Sequence, residues 1–274
     1  MKTSTQLKAL VRNFSKTKNV EAEIILRNFM LERFLERVSI SVYKNNFILK
    51  GGMLIAAMVG IDTRTTMDMD ATIKGRSLAE SEIVTFFEQV LQAPVEDGVS
   101  FKLRGIEATR EEADYPGFRA SIEAVLDKTR QIIKVDVTTG DIVTPGEIEF
   151  IFRLMFEDRS IRIWAYNIET VLAEKFETII TRSVATSRMR DFYDVFALTA
   201  TQTFDADIFT AALKNTVKKR GTTEQMADIS SVLEAVSSSS ILIDLWKRYQ
   251  KKFTYAADVS WDMAMAALHN LANI

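Results

Sequence analysis

Asp68 and Asp70 close the run Asp62-Thr63-Arg64-Thr65-Thr66-Met67-Asp68-Met69-Asp70. In an extended strand successive side chains alternate, so Thr66, Asp68, Asp70 and Thr72 share one face and Met67, Met69, Ala71 and Ile73 the other. Neighbouring carboxylates repel, and a strand that bears them opposite an apolar face is explained by solvent or by a cation held between them. Phosphoryl and nucleotidyl transfer use such a pair, because two magnesium ions about 4 Å apart activate an attacking oxygen and stabilise the departing pyrophosphate. That chemistry calls for a third carboxylate on a neighbouring strand, to complete one metal site and to take the proton of the attacking hydroxyl. The segment Ile132-Ile133-Lys134-Val135-Asp136-Val137 supplies one, with Lys134 and Asp136 on one face and Ile133, Val135 and Val137 on the other.

Upstream, Lys50-Gly51-Gly52 follows a short apolar run and opens a helix. Without side chains, such a pair lets backbone amides approach a triphosphate, while the helix N-terminus adds partial positive charge. Arg64 and Thr66 are then predicted to contact phosphate oxygens. Asp-x-Asp alone is common on solvated strand edges, and Gly-Gly alone is usually a turn. The order strand, Gly-Gly, helix, Arg-x-Thr-x-Asp-x-Asp favours the chemical reading over either.

A second constellation lies in Leu172 to Arg182 and Arg188 to Asp194. Lys175, Thr178 and Arg182 make one polar, cationic stripe at helical spacing, with Leu172, Phe176, Ile179 and Ile180 facing a core. Lys175 is suited to gripping a triphosphate. Asp191 and Asp194, one turn apart on the next helix, can pair with Lys175 or Arg190 and hold it toward phosphate. Taken alone, the same residues describe two solvated helices with ordinary ion pairs.

The elements that must position these groups fall into three stretches of the 274 residues. Residues 5 to 44 have helical spacing and predict an N-terminal helical cap over residues 1–45. Residues 46–166 mix strands near 47–49, 66–73, 99–109, 118–126, 131–138, 148–155 and 160–165 with a helix over 79–92, most of the strands reading as consecutive antiparallel neighbours. Residues 167–274 are nearly all helix, over 168–184, 191–200, 206–219, 223–236, 240–252 and 258–272. Asn167 and Ser239 stand where N-caps belong, and Gly221 where a helix C-terminus belongs. The class is α+β.

Lys plus Arg number 35 and Asp plus Glu 37, a net charge of −2, so nothing global draws nucleic acid and any such binding must be local. There is no cysteine, which excludes disulfides and thiolate chemistry. The apolar stretch from Met53 to Ile61 is far below the roughly 20 residues of a membrane span, and the N-terminus lacks a signal-peptide core. A cytoplasmic protein without a membrane partner is expected. His269, the single histidine, has no partner motif.

Gly51-Gly52, Arg64-x-Thr66-x-Asp68-x-Asp70, Lys134-x-Asp136, Ala173-Glu174-Lys175 and Arg190-Asp191-x-x-Asp194 together resemble the AbiEii/AbiGii toxin family over roughly residues 45–200. The resemblance implies a nucleotidyltransferase domain similar to DNA polymerase β, a helical C-terminal part, and membership of bacterial toxin–antitoxin and abortive-infection systems. It implies that Asp68 and Asp70 ligate metal, with Asp136 in the third-carboxylate place. It further implies that Thr66 and the glycines contact the nucleotide, and that Lys175 and Asp191 complete the site. A nucleoside triphosphate, two magnesium ions and an antitoxin encoded nearby, with or without a stable complex, are implied as well. Some members modify the acceptor end of tRNA. The wider superfamily usually has Gly-Ser where this chain has Gly51-Gly52.

The residues leave three classes open: nucleotide transfer to RNA, transfer to a protein, and a catalytically idle partner-binding module that keeps the fold. Three carboxylates plus Lys175 argue against the third. Basic clusters at Lys214, Lys218-Lys219-Arg220, Lys247-Arg248 and Lys251-Lys252 favour RNA, while the interleaved aromatics Trp246, Tyr249 and Phe253 lie near one helical face and are expected in the core.

Overall fold

A computed structural model describes residues 3–75, 79–109 and 117–274. It divides into two units: Met1–Ala57, Thr65–Asp141 and Glu147–Ala165 form the first, and Met58–Arg64, Ile142–Gly146 and Tyr166–Ile274 the second.

The first unit begins with α1 (Ser4–Lys18), whose Thr3 side chain accepts from the Gln6 N–H. The helical spacing of residues 5 to 44 does not yield one continuous helix. Asn19 takes a left-handed conformation, φ 52°, and ends the first segment, a backbone state that asparagine tolerates. α2 (Ala22–Ile40) then buries Ile25, Phe29, Leu31, Phe34, Leu35 and Val38. Its charged residues Glu32, Arg33, Glu36 and Arg37 are buried too, so α2 is a core helix with ion pairs. Arg37 grips both oxygens of Asp97, and Arg33 pairs with Glu36 and Glu157.

α2 packs on a seven-stranded sheet whose order is β3-β4-β5-β2-β1-β7-β6. The strands are β1 (Phe47–Lys50), β2 (Met69–Ile73), β3 (Val99–Thr109), β4 (Gly117–Leu126), β5 (Thr129–Thr138), β6 (Ile148–Arg153) and β7 (Ser160–Ala165). The pairs β3–β4, β4–β5, β1–β2 and β6–β7 are antiparallel, as the sequence predicts for most neighbours. Two pairs are parallel, β2–β5 and β1–β7, and these join strands distant in sequence. α3 (Gly51–Val59) follows β1, and α4 (Glu80–Leu91) brings Phe86 and Phe87 to the core. Alternation holds on β5, where Ile133, Val135 and Val137 are buried, Lys134 is exposed and Asp136 is half-buried.

The second unit carries α5 (Ile168–Arg182), α6 (Met189–Thr201), α7 (Ala206–Arg220), α8 (Ile229–Ser238), α9 (Ser240–Lys252) and α10 (Trp261–Ala272). The predicted caps are present: Asn167 accepts from Thr170, Ser239 from Leu242, and Gly221 ends α7 at φ 66°. α8 starts later than its apolar spacing predicts, because Asp228 caps it by accepting from the Ser231 N–H. Trp246 is 1% exposed and Tyr249 8%, so the aromatics of α9 belong to the core, as their spacing on one helical face predicts.

Candidate active site

In the first unit the carboxylates gather at one end of the sheet. β1 and β2 pair Lys50 with Asp70, β2 and β5 pair Asp70 with Asp136, and β5 and β4 pair Asp136 with Arg119. Side chains at paired positions project to the same face, so four charged groups stand side by side across four strands. Asp68 lies just before β2, half-buried like Asp70. Arg119 clasps Asp136 in a two-pronged pair, Nε to Oδ1 at 2.7 Å and Nη2 to Oδ2 at 2.6 Å. The Arg119 guanidinium holds its proton above the ordinary range, chiefly through that bond to Asp136, with the charges of Asp136, Asp68 and Asp70 adding to it against the effect of burial.

One residue row further along, Lys50 Nζ donates to Asp141 Oδ2 at 2.5 Å and to Thr138 at 2.7 Å, while Thr72 donates to the same Asp141 oxygen at 2.6 Å. Burial would raise the Asp141 pKa, but Lys50 and the two hydroxyls outweigh it and bring it down to about 2.

The glycine pair serves Asp70 in this structure. Gly51 turns the chain at φ +66°, and a Cβ there would lie 2.2 Å from Asp70 Oδ2. The Gly52 N–H is directed at the same oxygen, 3.4 Å away. The sequence predicts these amides against a triphosphate; the amide of Gly52 instead faces the carboxylate that β2 brings up to it. Thr66 also differs from its predicted phosphate contact, because it is 4% exposed and its hydroxyl donates to the Asp68 carbonyl, shaping the approach to β2.

The second constellation lies in the second unit. Lys175 Nζ sits 2.6 Å from Asp191 Oδ1 and 2.8 Å from Asp194 Oδ2. Arg64 takes Asp194 from another side, Nε to Oδ1 at 2.7 Å. Arg64 is 2% exposed, so it holds Asp194 in place and does not present its guanidinium to a phosphate as predicted. Burial would lower the Lys175 pKa, but Asp191 and Asp194 outweigh it and keep the ammonium charged above the usual range. Burial would likewise raise Asp194, and Lys175 and Arg64 bring it below the usual range. Arg190 is not part of this group; its guanidinium lies over the Phe253 ring, 5.3 Å from the centroid. Asp194, by contrast, stands at the centre of the group.

Arg119 and Lys50 were not legible as site residues. The signal for Arg119 is its register opposite Asp136, which requires knowing how β4 pairs with β5.

The profile of the AbiEii family, nucleotidyl transferase toxins of type IV toxin–antitoxin systems, matches residues 33–267. The chain belongs to this family. Its members are nucleotidyl transferases, which makes this AbiEii chain one of an enzyme family acting as toxins opposed by antitoxins. No match was found among curated proteins. Two solved structures share its fold. A candidate nucleotidyltransferase from H. pylori aligns with a TM-score of 0.53 at 14% identity, covering 92% of this chain and 94% of its own. JHP933 from Helicobacter pylori aligns at 0.52 and 14% identity, covering 92% and 91%.

The fit of magnesium to this AbiEii chain divides into chemistry and arrangement. Carboxylate oxygens are the hard donors that magnesium takes, and Asp68, Asp70 and Asp136 provide them at adjacent positions. Among the described residues, however, no three acidic or histidine side chains converge as a metal-holding group. Both oxygens of Asp136 already accept from Arg119. Also among the described residues, no single helix is long and apolar enough to cross a membrane.

Proposed function

We propose that this AbiEii-family chain transfers a nucleotide from a nucleoside triphosphate to a hydroxyl of RNA, the 3′ end of a tRNA, in the cytoplasm, and that an antitoxin encoded nearby opposes it. The observation that carries the reading is the register of β5, β2 and β1, which sets Asp136, Asp70 and Lys50 abreast, with Asp68 two residues before Asp70. Asp68, Asp70 and Asp136 would hold two magnesium ions. When bound, magnesium supplies the positive charge that the α-phosphate and the leaving pyrophosphate need.

The remaining steps fall to the chain's own residues. The acceptor oxygen bonds to the α-phosphorus as the bond to the bridging α–β oxygen breaks, and pyrophosphate leaves with that electron pair. The hydroxyl proton passes to the Asp136 carboxylate. Lys175, charged and steered by Asp191 and Asp194, is the cation assigned to nucleotide phosphate. Lys134 is exposed on the same face of β5 as Asp136, where it can meet the nucleotide. Exposed basic residues on α7 and α9, Lys214, Lys218, Lys247, Arg248, Lys251 and Lys252, support an RNA backbone as the acceptor class.

The test incubates the native chain and Asp70→Ala with magnesium, each labelled nucleoside triphosphate in turn, and total bacterial RNA or lysate protein. Label on RNA with the native chain and loss of at least about a thousandfold in Asp70→Ala is expected, the scale of removing a group that acts in the transition state. Full activity in Asp70→Ala would sink the carboxylate assignment. Label on protein alone would move the acceptor to that class.

A further inference from the structure

We propose that Arg119 is a built-in cation of the carboxylate face, displaced from Asp136 when a divalent ion binds and then available to nucleotide phosphate. The inference rests on the reading that Asp68, Asp70 and Asp136 hold the ion.

Three observations carry it. First, Arg119 donates to both oxygens of Asp136, at 2.7 and 2.6 Å, so the lone pairs that a metal would take are in use. A guanidinium fork and a divalent ion exclude each other there, by space and by charge repulsion. Second, the charges of Asp68 and Asp70 act on the same guanidinium. Asp70 stands beside Asp136 on the neighbouring strand, so displacing Arg119 leaves carboxylates on both strands for a divalent ion. Third, the pair is partly exposed, as several of the chain's arginine pairs are and its buried ones are not. The Arg119 side chain is 38% exposed and Asp136 21%, against 3% and 0% for Arg64–Asp194 and 4% and 4% for Arg37–Asp97.

Those two buried pairs cannot open without stranding a charge away from water. Arg119 can rotate about its flexible stem into solvent, so opening it costs little. Its delocalised, forked guanidinium then matches phosphate as well as it matched carboxylate. Metal and triphosphate binding become coupled through one side chain: the ion frees Arg119, and the freed Arg119 favours the anion.

The experiment measures manganese(II) binding to the full chain by electron paramagnetic resonance, then binding of inorganic triphosphate by calorimetry at saturating magnesium. Native, Arg119→Ala, Arg119→Lys and Asp70→Ala chains are compared. Arg119→Ala should bind manganese up to about fivefold tighter, the scale of an exposed pair removed. It should bind triphosphate several-fold more weakly. Arg119→Lys, with the charge but not the fork, should fall between. An arginine that only supported the fold would weaken both ligands when removed.

Equal or weaker manganese binding in Arg119→Ala, with manganese lost in Asp70→Ala, overturns the displacement and leaves the metal reading standing. Native manganese affinity in Asp70→Ala removes the metal reading on which the inference rests. Should Arg119→Ala fail to fold, Arg119→Gln, which keeps a polar stem, gives the same comparison.

Discussion

At Gly51 a hydrogen atom stands where any other residue would put a carbon against Asp70. The φ of +66° and the 2.2 Å separation from Asp70 Oδ2 act together, since an added methyl is strained by the backbone and overlaps the carboxylate. Gly51→Ala is expected to lower stability by about 1–3 kcal/mol and transfer activity at least tenfold, because Asp70 must move. Thermal unfolding and the labelled-nucleotide assay read the two effects, and a variant matching the native chain in both would show that Asp70 needs no such clearance. Two other single residues, expected to contact phosphate oxygens, have partners within the chain. Arg64 and Thr66 sit inside the protein, one holding Asp194 and the other the Asp68 carbonyl. Residue type shows that a hydrogen-bonding group must find a partner; it does not show whether the partner is a ligand or another part of the chain.

Among elements, β2 and β5 carry the most chemistry per residue. Their alternation was legible because one apolar side and one polar side leave a period-two trace in the sequence. Their parallel pairing was not, since it joins residues 69–73 to 135–138 with no turn between them to announce it. That pairing brings Thr72 and Thr138 to Asp141, where Lys50 completes the cluster. Asp141, with a pKa of about 2 against 3.8 in an unfolded chain, binds its proton less readily when folded. Its contribution is therefore fully present above pH 3.8 and lost as pH falls toward 2, amounting to about 2 kcal/mol. Asp141→Asn should remove this part of the acid limb, and unfolding in urea from pH 5 to pH 2 measures it. An acid limb as steep as the native one would show that the strand-end cluster adds nothing to stability.

On the scale of the whole molecule, the charges inside the first unit set how its stability follows pH. Glu32 lies buried on α2, where burial raises its pKa to about 8 even though the Met155 N–H and Arg33 oppose that rise. The raised value means that folding favours the protonated form. Its contribution is fully present below pH 4.5 and is lost as pH rises through about 8, by on the order of a few kcal/mol. Glu32→Gln, which keeps an acceptor for Met155, should raise the unfolding midpoint at pH 8.5 and leave it nearly unchanged at pH 4.5. A native midpoint that does not fall between these values would contradict the burial cost.

By itself the sequence determined most element types, the strands of Asp70 and Asp136 though not that Asp68 precedes its strand, the helix caps at Asn167 and Ser239, and the family, because periodicity, capping chemistry and motif spacing are local. Only the tertiary structure decided that Asp70 and Asp136 lie abreast, that Arg119 holds Asp136, and that Arg64 and Lys175 share Asp194. Those facts depend on strand order and on which helix meets which residue. Such contacts join positions up to 130 residues apart, and their energy is set by burial and register that no local window of sequence contains.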